Sequence, residues 1–217
     1  MNKTSTNASE ANLVTLLGAD DESTRLKAAL AAGSNADPGL VDTLVARCAI
    51  EPDFYVRDML TWALTRFSPD VTVPRLLVEL LSERVQARSQ ALHTLSKIRD
   101  ARAWPAITRS LLRDSDDNVA QSAWRAAVVL VPDDQKGGLA VELAAQLGRG
   151  DRGTQLSLSR ALSSLGEAVI EPVLQRARAS DDLGVRAHAD ATERLLRDPN
   201  AGFQHAINQV KRILAPN

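Results

Sequence analysis

One motif recurs about every 31 or 32 residues, and this repetition restricts the fold more than any other feature of the chain. Each copy begins with a polar residue, continues after three residues with a Val-Arg pair or its equivalent, and ends with small apolar residues at helical spacing. The Arg positions of the six copies are Arg25, Arg57, Arg88, Ala120, Gln155 and Arg186. A unit of this length is typical of a helical hairpin, which cannot bury its apolar face alone and therefore stacks on its neighbours.

Two columns of the aligned copies predict the buried face of a helix. The third residue after the Arg position is Ala or Leu in every copy, and the sixth is Ala or Thr. Small side chains at a fixed place allow neighbouring helices to approach closely. The two columns are Ala28, Leu60, Ala91, Ala123, Leu158 and Ala189, and Ala31, Ala63, Thr94, Ala126, Ala161 and Thr192.

A third column lies four residues before the Arg position and is acidic in five of the six copies. It consists of Asp21, Asp53, Arg84, Asp116, Asp151 and Asp182. An Asp at the start of a helix can accept hydrogen bonds from the free N–H groups there. We also expect it to pair with an Arg one turn later, as in Asp21–Arg25, Asp53–Arg57 and Asp182–Arg186. These structural roles are favoured over a metal site or general bases.

Composition supports an all-α fold, because aromatic residues make up only 3% of the chain and the core must be built from Leu, Val and Ala. Pro74, Pro105 and Pro172 lie 14 or 15 residues before the Arg position and mark the first helix of three repeats. We expect Trp104 to begin one such helix. The sequence therefore predicts a right-handed α-α solenoid of about six helical hairpins.

These features together resemble the HEAT repeat family, particularly the short-repeat subclass named after phycobilisome lyases. The proline of the first helix and the Asp…Val-Arg…Ala…Leu of the second carry the resemblance, most closely in WPAITRSLLRDSDDNV and EPVLQRARASDDLGVRAHA. It extends from about residue 13 to residue 196. The resemblance implies a stacked helical array on which many different activities can be mounted, so it specifies the fold and not the function.

The repeats divide the chain into three predicted parts. Residues 1–10 are polar and are expected to form a disordered tail, and residues 11–200 are expected to form the HEAT-repeat solenoid. A hinge is expected at residues 132–139, where the spacing lengthens to about 35 residues and two glycines occur together. Residues 201–217 are expected to form a C-terminal capping helix with an apolar side.

Charge and cysteine content are typical of a cytoplasmic protein. No cofactor is expected. The formal net charge is -1, which provides no overall attraction to nucleic acid or to an anionic membrane. The single cysteine, Cys48, is expected to be a small buried hydrophobe, and no segment has the apolar length of a membrane span. The histidines lack metal-ligand spacing, so no metal site is expected, and His188 is expected at the surface or at an interface.

Helical geometry also predicts which residues face a partner. Positions one, five and eight after the Arg position lie opposite the buried face, and in HEAT-like arrays the second helices line the concave face. These columns contain the candidate site, which consists of Trp62, His93, Arg125, Arg160, Arg194 and Asp58. An exposed Trp beside aligned Arg side chains is typical of a binding hot spot. An equally good interpretation is a solvated polar face with Trp62 packed under a loop. Trp124 is expected at the edge between the two faces.

The sequence favours a non-catalytic adaptor that binds a protein or peptide with an acidic surface on its concave face. Trp62 would be the apolar anchor, and the arginines would pair with acidic groups. One alternative is a HEAT-like DNA glycosylase of the alkylation-repair class, which uses Trp, Asp and Arg in a basic groove; the balanced charge disfavours it. A second alternative is an accessory protein similar to bilin lyases. The identity of the partner and the oligomeric state are not specified by the sequence.

Overall fold

The computed structural model describes residues 11–198, and all regular secondary structure in this range is helical. The α-helices are α1 (residues 11–17), α2 (Glu22–Asn35), α3 (Val41–Cys48), α4 (Phe54–Leu64), α5 (Pro69–Glu79), α6 (Val85–Ile98), α7 (Arg109–Leu112), α8 (Asp117–Leu130), α9 (Lys136–Ala144), α10 (Arg152–Ser164), α11 (Glu167–Arg178) and α12 (Leu183–Arg197). Short 3-10 helices precede α3, α7 and α9; they are Pro38–Leu40, Ala101–Ala106 and Asp133–Gln135. The predicted all-α class is confirmed. The predicted tail at 1–10 and capping helix at 201–217 lie outside the described residues.

The helices follow one another as six hairpins in the described part of the chain, and the even-numbered helix of each hairpin carries the repeated motif. The structure divides into two compact units, one ending at Leu130 and the other beginning at Val131. In the first unit α2, α4, α6 and α8 pack side by side in that order, and in the second unit α10 packs against α12. The boundary lies next to residues 132–139, whose action as a hinge stays a prediction.

The two columns of small and apolar residues form the core of each unit, as predicted. All six residues of the first column are buried, and in the second column only the first copy, Ala31, is half-buried. The close approach of helices is clearest between α2 and α4. A Cβ atom added to Gly33 would lie 2.7 Å from the Cα atom of Ala63 and 2.6 Å from the ring of Trp62. Only a residue without a side chain fits at this contact.

The aspartate column caps the second helices, and this prediction is confirmed. Asp21 accepts a hydrogen bond of 2.7 Å from the N–H of Thr24, and Asp53 one of 2.9 Å from the N–H of Val56. Equivalent bonds are made by Asp116, Asp151 and Asp182. These bonds satisfy N–H groups that have no partner inside the helix.

The predicted ion pairs between Asp and the Arg one turn later are wrong. The Arg side chain turns back and donates to carbonyl oxygens of the loop that precedes the helix. Arg57 donates to the carbonyls of Glu51 and Pro52 at 2.8 and 2.7 Å, and Arg186 donates to the carbonyl of Ser180. A guanidinium group has five N–H donors in a fixed planar arrangement, so it can bind two carbonyl oxygens at once. A single ion pair with the capping aspartate would leave most of these donors unused.

The repeat arginine Arg25 also enters a buried ionic cluster that fixes the loop between α3 and α4. Arg25 bonds both carboxylate oxygens of Glu51 at 2.8 Å, and Arg47 approaches the same carboxylate at 2.6 Å. The Glu51 side chain is fully buried. Gln86 of α6 donates to the carbonyls of Cys48 and Glu51 at 2.9 and 2.8 Å. The loop before α4 is thus tied to the second helices on both sides.

The first helix of the fourth repeat differs from the prediction. Trp104 lies in the 3-10 helix Ala101–Ala106 and does not begin an α-helix, and the α-helical part of this repeat is only Arg109–Leu112. Trp124 was expected at the edge between faces but is completely buried. Its indole N–H donates to the carbonyl of Leu112 at 2.8 Å. A large ring therefore fills the space beneath the shortened helix.

Two further expectations concern single buried side chains. Cys48 is buried, as predicted, and burial raises the pKa of its thiol to about 12. His188 was expected at the surface or at an interface, and it lies at the interface of α12 with α10. It is only 3% exposed, because polar groups of α10 and the loop at Gly148 surround its ring. None of the helices within residues 11–198 has an apolar stretch long enough to cross a lipid bilayer.

Candidate binding groove

A cavity of about 650 Å³ lies along the second helices of the first unit. Residues of α4, α6 and α8 line it, and we call this cavity the α4–α8 groove. Its lining consists of Phe54, Arg57, Asp58, Val85, Gln86, Ser89, Gln90, His93, Asn118, Gln121, Ser122 and Arg125. Helices α4 and α8 form its two sides, with α6 between them.

The structure brings three of the predicted site residues together in this groove. Asp58 lies on α4, His93 on α6 and Arg125 on α8. Asp58 and Arg125 are exposed, whereas His93 is half-buried between them. His93 and Arg125 occupy equivalent positions of consecutive second helices, five after the Arg position, and Asp58 lies one turn earlier on the same face of α4. For this reason the three side chains could be grouped from the sequence.

Trp62 does not belong to the lining of the groove. Its indole ring is 38% exposed and packs against α2 at Gly33, where the ring edge occupies the space that a Cβ atom would need. Part of the ring is therefore a contact between two repeats. Its role as an anchor for a partner stays a prediction.

The remaining two predicted residues belong to the second unit. Arg160 lies on α10 and Arg194 on α12, and both are exposed. Arg194 donates to the carbonyl of Asp190 in its own helix at 3.3 Å. Their participation in a binding site also stays a prediction.

The charges of the groove act on His93. Burial lowers the pKa of His93, the positive charges of Arg125 and Lys97 lower it further, and the negative charge of Asp58 opposes this. The imidazole is consequently neutral at neutral pH and can both donate and accept a hydrogen bond. Asp58 of α4 and Arg125 of α8 thus act on the pKa of the same imidazole ring in opposite directions.

The base of the groove is formed by neutral polar side chains. Gln86, Gln90, Asn118 and Gln121 supply side-chain amides, and Ser89 and Ser122 supply hydroxyl groups. Among the described residues, the side-chain amides of Gln90 and Asn118 make no hydrogen bond to another protein group, whereas Gln86 is committed to two backbone carbonyls. A side-chain amide both donates and accepts, as a peptide bond does.

Sequence reasoning missed most of the polar lining. The columns at one and five after the Arg position enter the groove, as expected, but the column at eight does not. The columns two before and two after the Arg position enter instead, which moves the groove one turn toward the N-terminal ends of the second helices. The signal is visible in the sequence: these columns contain Gln86, Gln90, Asn118 and Ser122 in the third and fourth repeats. Amides and hydroxyls in neighbouring repeats mark a polar face that can bind a ligand.

A second cavity, of about 560 Å³, lies at the loop between α7 and α8. It is lined by Arg88, Arg109, Ser110, Arg113, Asp114 and Ser115. Arg88 is neutralised there by Asp114 at 3.1 Å. Within residues 11–198, no three His, Cys, Asp or Glu side chains are grouped closely enough to hold a metal ion.

Comparison with protein families finds one match. The family model described as HEAT repeats matches residues 50–127, and we call this part of the chain the HEAT segment. The HEAT segment contains every residue that lines the α4–α8 groove, so the groove lies within the matched region. No curated protein matches the chain.

Several solved structures are similar to the chain over most of its length. An engineered protein of the Northeast Structural Genomics Consortium is 22% identical, with 87% of this chain and 96% of that chain covered and a TM-score of 0.47. A designed armadillo repeat protein is 16% identical, with 85% and 98% covered and a TM-score of 0.46. The complex of CpcE and CpcF of phycocyanin lyase from Nostoc sp. PCC7120 is 22% identical, with 83% and 74% covered and a TM-score of 0.49. At these identities the likeness concerns the helical fold alone.

Proposed function

We propose that this chain is a non-catalytic binding scaffold whose α4–α8 groove receives an extended, acidic segment of another protein. The observation that carries the proposal is the composition of the groove, in which unengaged amide side chains lie beside an exposed arginine. The groove belongs to the HEAT segment, and HEAT arrays present such surfaces to partners.

The amide groups suit the main chain of an extended peptide. Gln90 on α6 and Asn118 on α8 are half-buried and exposed, respectively, and each can pair with a peptide N–H and a carbonyl at the same time. A peptide in an extended conformation has a main chain whose polar groups need such partners when water is removed. Recognition of the main chain provides affinity without requiring one particular sequence.

Arg125 accounts for the preference for an acidic segment. Within residues 11–198 its side chain makes one hydrogen bond, from one terminal nitrogen to the hydroxyl of Ser122 at 3.1 Å. Desolvation lowers the pKa of Arg125, which shows that its surroundings already remove part of its water shell. A carboxylate could accept two parallel hydrogen bonds from this guanidinium and restore the lost interactions.

A DNA glycosylase is less well supported by the same residues. Binding to a phosphate backbone requires several uncommitted cations. The groove contains two arginines and one aspartate, and Arg57 is already held by two carbonyl oxygens. Trp62, which such an enzyme could use against a base, packs on Gly33.

The proposal is tested with three baits in a pull-down from the native cell extract, read by mass spectrometry. The first bait is the wild type, and the second carries Gln90→Trp and Arg125→Glu, which fill the groove and reverse its charge. The third carries Val78→Trp and Arg66→Glu. It is the matched control, because both residues are exposed and neither lines the groove.

We expect a partner protein that the wild type and the control variant retain and the groove variant loses. Synthetic peptides from that partner then locate the bound segment. Equal recovery of the partner on all three baits would place the binding site elsewhere, and recovery of nuclease-sensitive DNA by the wild type and the control alone would support the glycosylase.

A further inference from the structure

We infer that the α4–α8 groove binds its segment with a basic side chain beside Asp58 and an acidic side chain beside Arg125. This inference rests on the proposed function and adds the charge pattern and spacing of the ligand. It identifies the partner as a protein with an extended segment that carries opposite charges about five or six residues apart.

The two outer helices of the groove carry opposite charges. Asp58 of α4 is exposed and forms no ion pair or hydrogen bond within residues 11–198. The neighbouring Arg57 does not neutralise it, because the Arg57 guanidinium is directed to the carbonyls of Glu51 and Pro52. Arg125 of α8 has the opposite charge, and its one hydrogen bond within residues 11–198 is to the Ser122 hydroxyl. A ligand that spans the groove meets a negative side and a positive side.

Helix packing limits the separation of the two outer helices. Packed helices lie about 8–10 Å apart, and α6 separates α4 from α8, so the axes of α4 and α8 are at most roughly 16–20 Å apart. An extended chain advances about 3.3 Å per residue. Five or six residues of ligand therefore bring one charged side chain to each side.

His93 supports the view that both charges act across one continuous space. Its ring lies on α6, and it is influenced by Asp58 and Arg125 in opposite senses. Because the ring is half-buried and surrounded by these charges, it suits a neutral hydrogen-bonding partner in the middle of the ligand. A charged residue there would have an opposite charge on one side and a like charge on the other.

An apolar surface adjoins the negative side. Phe54 is 65% exposed and Val85 is 37% exposed, and both line the groove. Tyr55 supports Phe54 by an edge-to-face contact of 5.6 Å between the ring centres. Burying these exposed side chains would be favourable, so an apolar residue is expected next to the basic residue of the ligand.

The inference is tested by selection from a display library of random dodecapeptides on full-length protein. The wild type is compared with two charge-reversed variants, Asp58→Arg and Arg125→Asp, and with a neutral variant, Asp58→Asn with Arg125→Gln. Both positions are exposed, and circular dichroism verifies that the variants fold. The groove variant Gln90→Trp with Arg125→Glu removes peptides that bind elsewhere.

We expect peptides selected by the wild type to carry a basic and an acidic residue about five or six positions apart. The Asp58→Arg variant should select two acidic residues at this spacing, the Arg125→Asp variant two basic residues, and the neutral variant neither pattern. Replacing the basic residue of a selected peptide by an acidic one should weaken its binding to the wild type about tenfold.

Two failures are distinguishable. Peptides that need the groove but show the same charge pattern with the wild type and both charge-reversed variants would overturn the charge assignment while leaving the proposed function intact. A selection in which no peptide remains after those that also bind the groove variant have been removed would overturn both.

Discussion

At the scale of single residues, the repeat arginine donates to the loop in front of its helix in the four motifs that contain one, and over residues 11–198 it forms no ion pair with a capping aspartate. The cluster at Glu51 shows the energetic consequence. Arg25 is only 5% exposed, so its charge depends on the carboxylate that it holds. Removing one partner of a buried ion pair leaves an uncompensated charge, which costs about 3–5 kcal/mol.

Replacing Glu51 by Gln should therefore lower the free energy of unfolding of the first unit by about 3 kcal/mol at neutral pH. Urea denaturation followed by tryptophan fluorescence measures this change. The matched control is Asp70→Asn, which breaks the exposed ion pair with Arg102 and should move the midpoint much less. An Asp70 variant as unstable as the Glu51 variant would show that burial is not the cause.

The same variant should alter the dependence of stability on pH. Burial would raise the pKa of Glu51, but hydrogen bonds from Arg25, the Asp53 N–H and Arg47 outweigh burial and lower the pKa from 4.5 to about 2. A carboxyl group whose pKa is lowered by folding stabilises the fold at any pH above the pKa that the group has in the unfolded chain. This stabilisation is lost as the pH falls from 4.5 toward 2. The wild type should lose it in this range, and Glu51→Gln should not.

Gly33 provides a second prediction at this scale. Gly33→Ala should destabilise the first unit by about 1–3 kcal/mol, because the added methyl group meets the backbone of Ala63, which cannot move aside without separating α2 from α4. The control is Gly138→Ala in α9, where an added Cβ has no neighbour within 4 Å. The control should be neutral or slightly stabilising, since alanine favours helices. Thermal denaturation distinguishes the two, and similar melting temperatures would contradict this account.

Some of these residues could be predicted from the sequence and others could not. The buried columns and the aspartate caps depend on spacing within one helix, and spacing is visible in the sequence. The Arg25–Glu51 pair joins residues 26 positions apart, and several acidic residues were available to Arg25. Which of these acidic residues pairs with Arg25 depends on how the loops lie against one another, and a helical periodicity does not specify this.

At the scale of the elements, the second helices behave as predicted and the first helices vary. Within each unit the second helices share one pattern because each packs on the next. The fourth repeat shows the variation, because its first helix is mostly replaced by the 3-10 helix Ala101–Ala106 and the ring of Trp124 fills the space.

The groove also lies one turn from its predicted place. A helix has no sharp border between its buried and exposed faces, so periodicity alone could not choose between the column at eight and the column at minus two.

A buried polar network connects α10 and α12 in the second unit, and His188 belongs to it. The Nδ1 atom of His188 accepts a hydrogen bond from the N–H of Gly148 at 3.0 Å, so the ring proton is on Nε2, which lies 2.9 Å from the carbonyl of Gln155. The Ser159 hydroxyl lies 3.1 Å from Nε2 and 2.8 Å from the hydroxyl of Thr192. The network requires a neutral imidazole, because protonation would place a second hydrogen against the Gly148 N–H.

The second unit should therefore become less stable in mild acid. Burial lowers the pKa of His188 from 6.5, and the hydrogen bond to Gln155 opposes this only in part. The unfolded chain binds a proton at a higher pH than the folded chain, so stability falls as the pH decreases below about 6.5. His188→Gln should flatten this decline in circular dichroism midpoints between pH 7 and pH 5, whereas His93→Gln should leave the His188 contribution in place. An unchanged slope in His188→Gln would show that the network is not the source.

At the scale of the whole molecule, the chain consists of two compact units whose unfolding can be followed by different spectroscopic signals. Trp62, Trp104 and Trp124 all belong to the first unit, so tryptophan fluorescence reports on that unit and circular dichroism reports on both. Repeat proteins interact mainly with neighbouring repeats, so a local perturbation need not reach the far end. Glu51→Gln should therefore shift the fluorescence transition, and His188→Gln should shift the circular dichroism transition alone. Coincident shifts of both probes in both variants would show a single cooperative unit.

The central claim is that a partner segment lies in the α4–α8 groove of the HEAT repeats. The most direct test places the photo-crosslinker p-benzoylphenylalanine at Gln90, in the middle of the groove, or at the exposed Val78 of α5, which does not line it. Both proteins are irradiated in the native cell extract, and adducts are identified by mass spectrometry. We predict a protein adduct from position 90 that disappears when Arg125 is changed to Glu, and none from position 78. A partner that crosslinks equally from both positions, or only from position 78, would contradict the account.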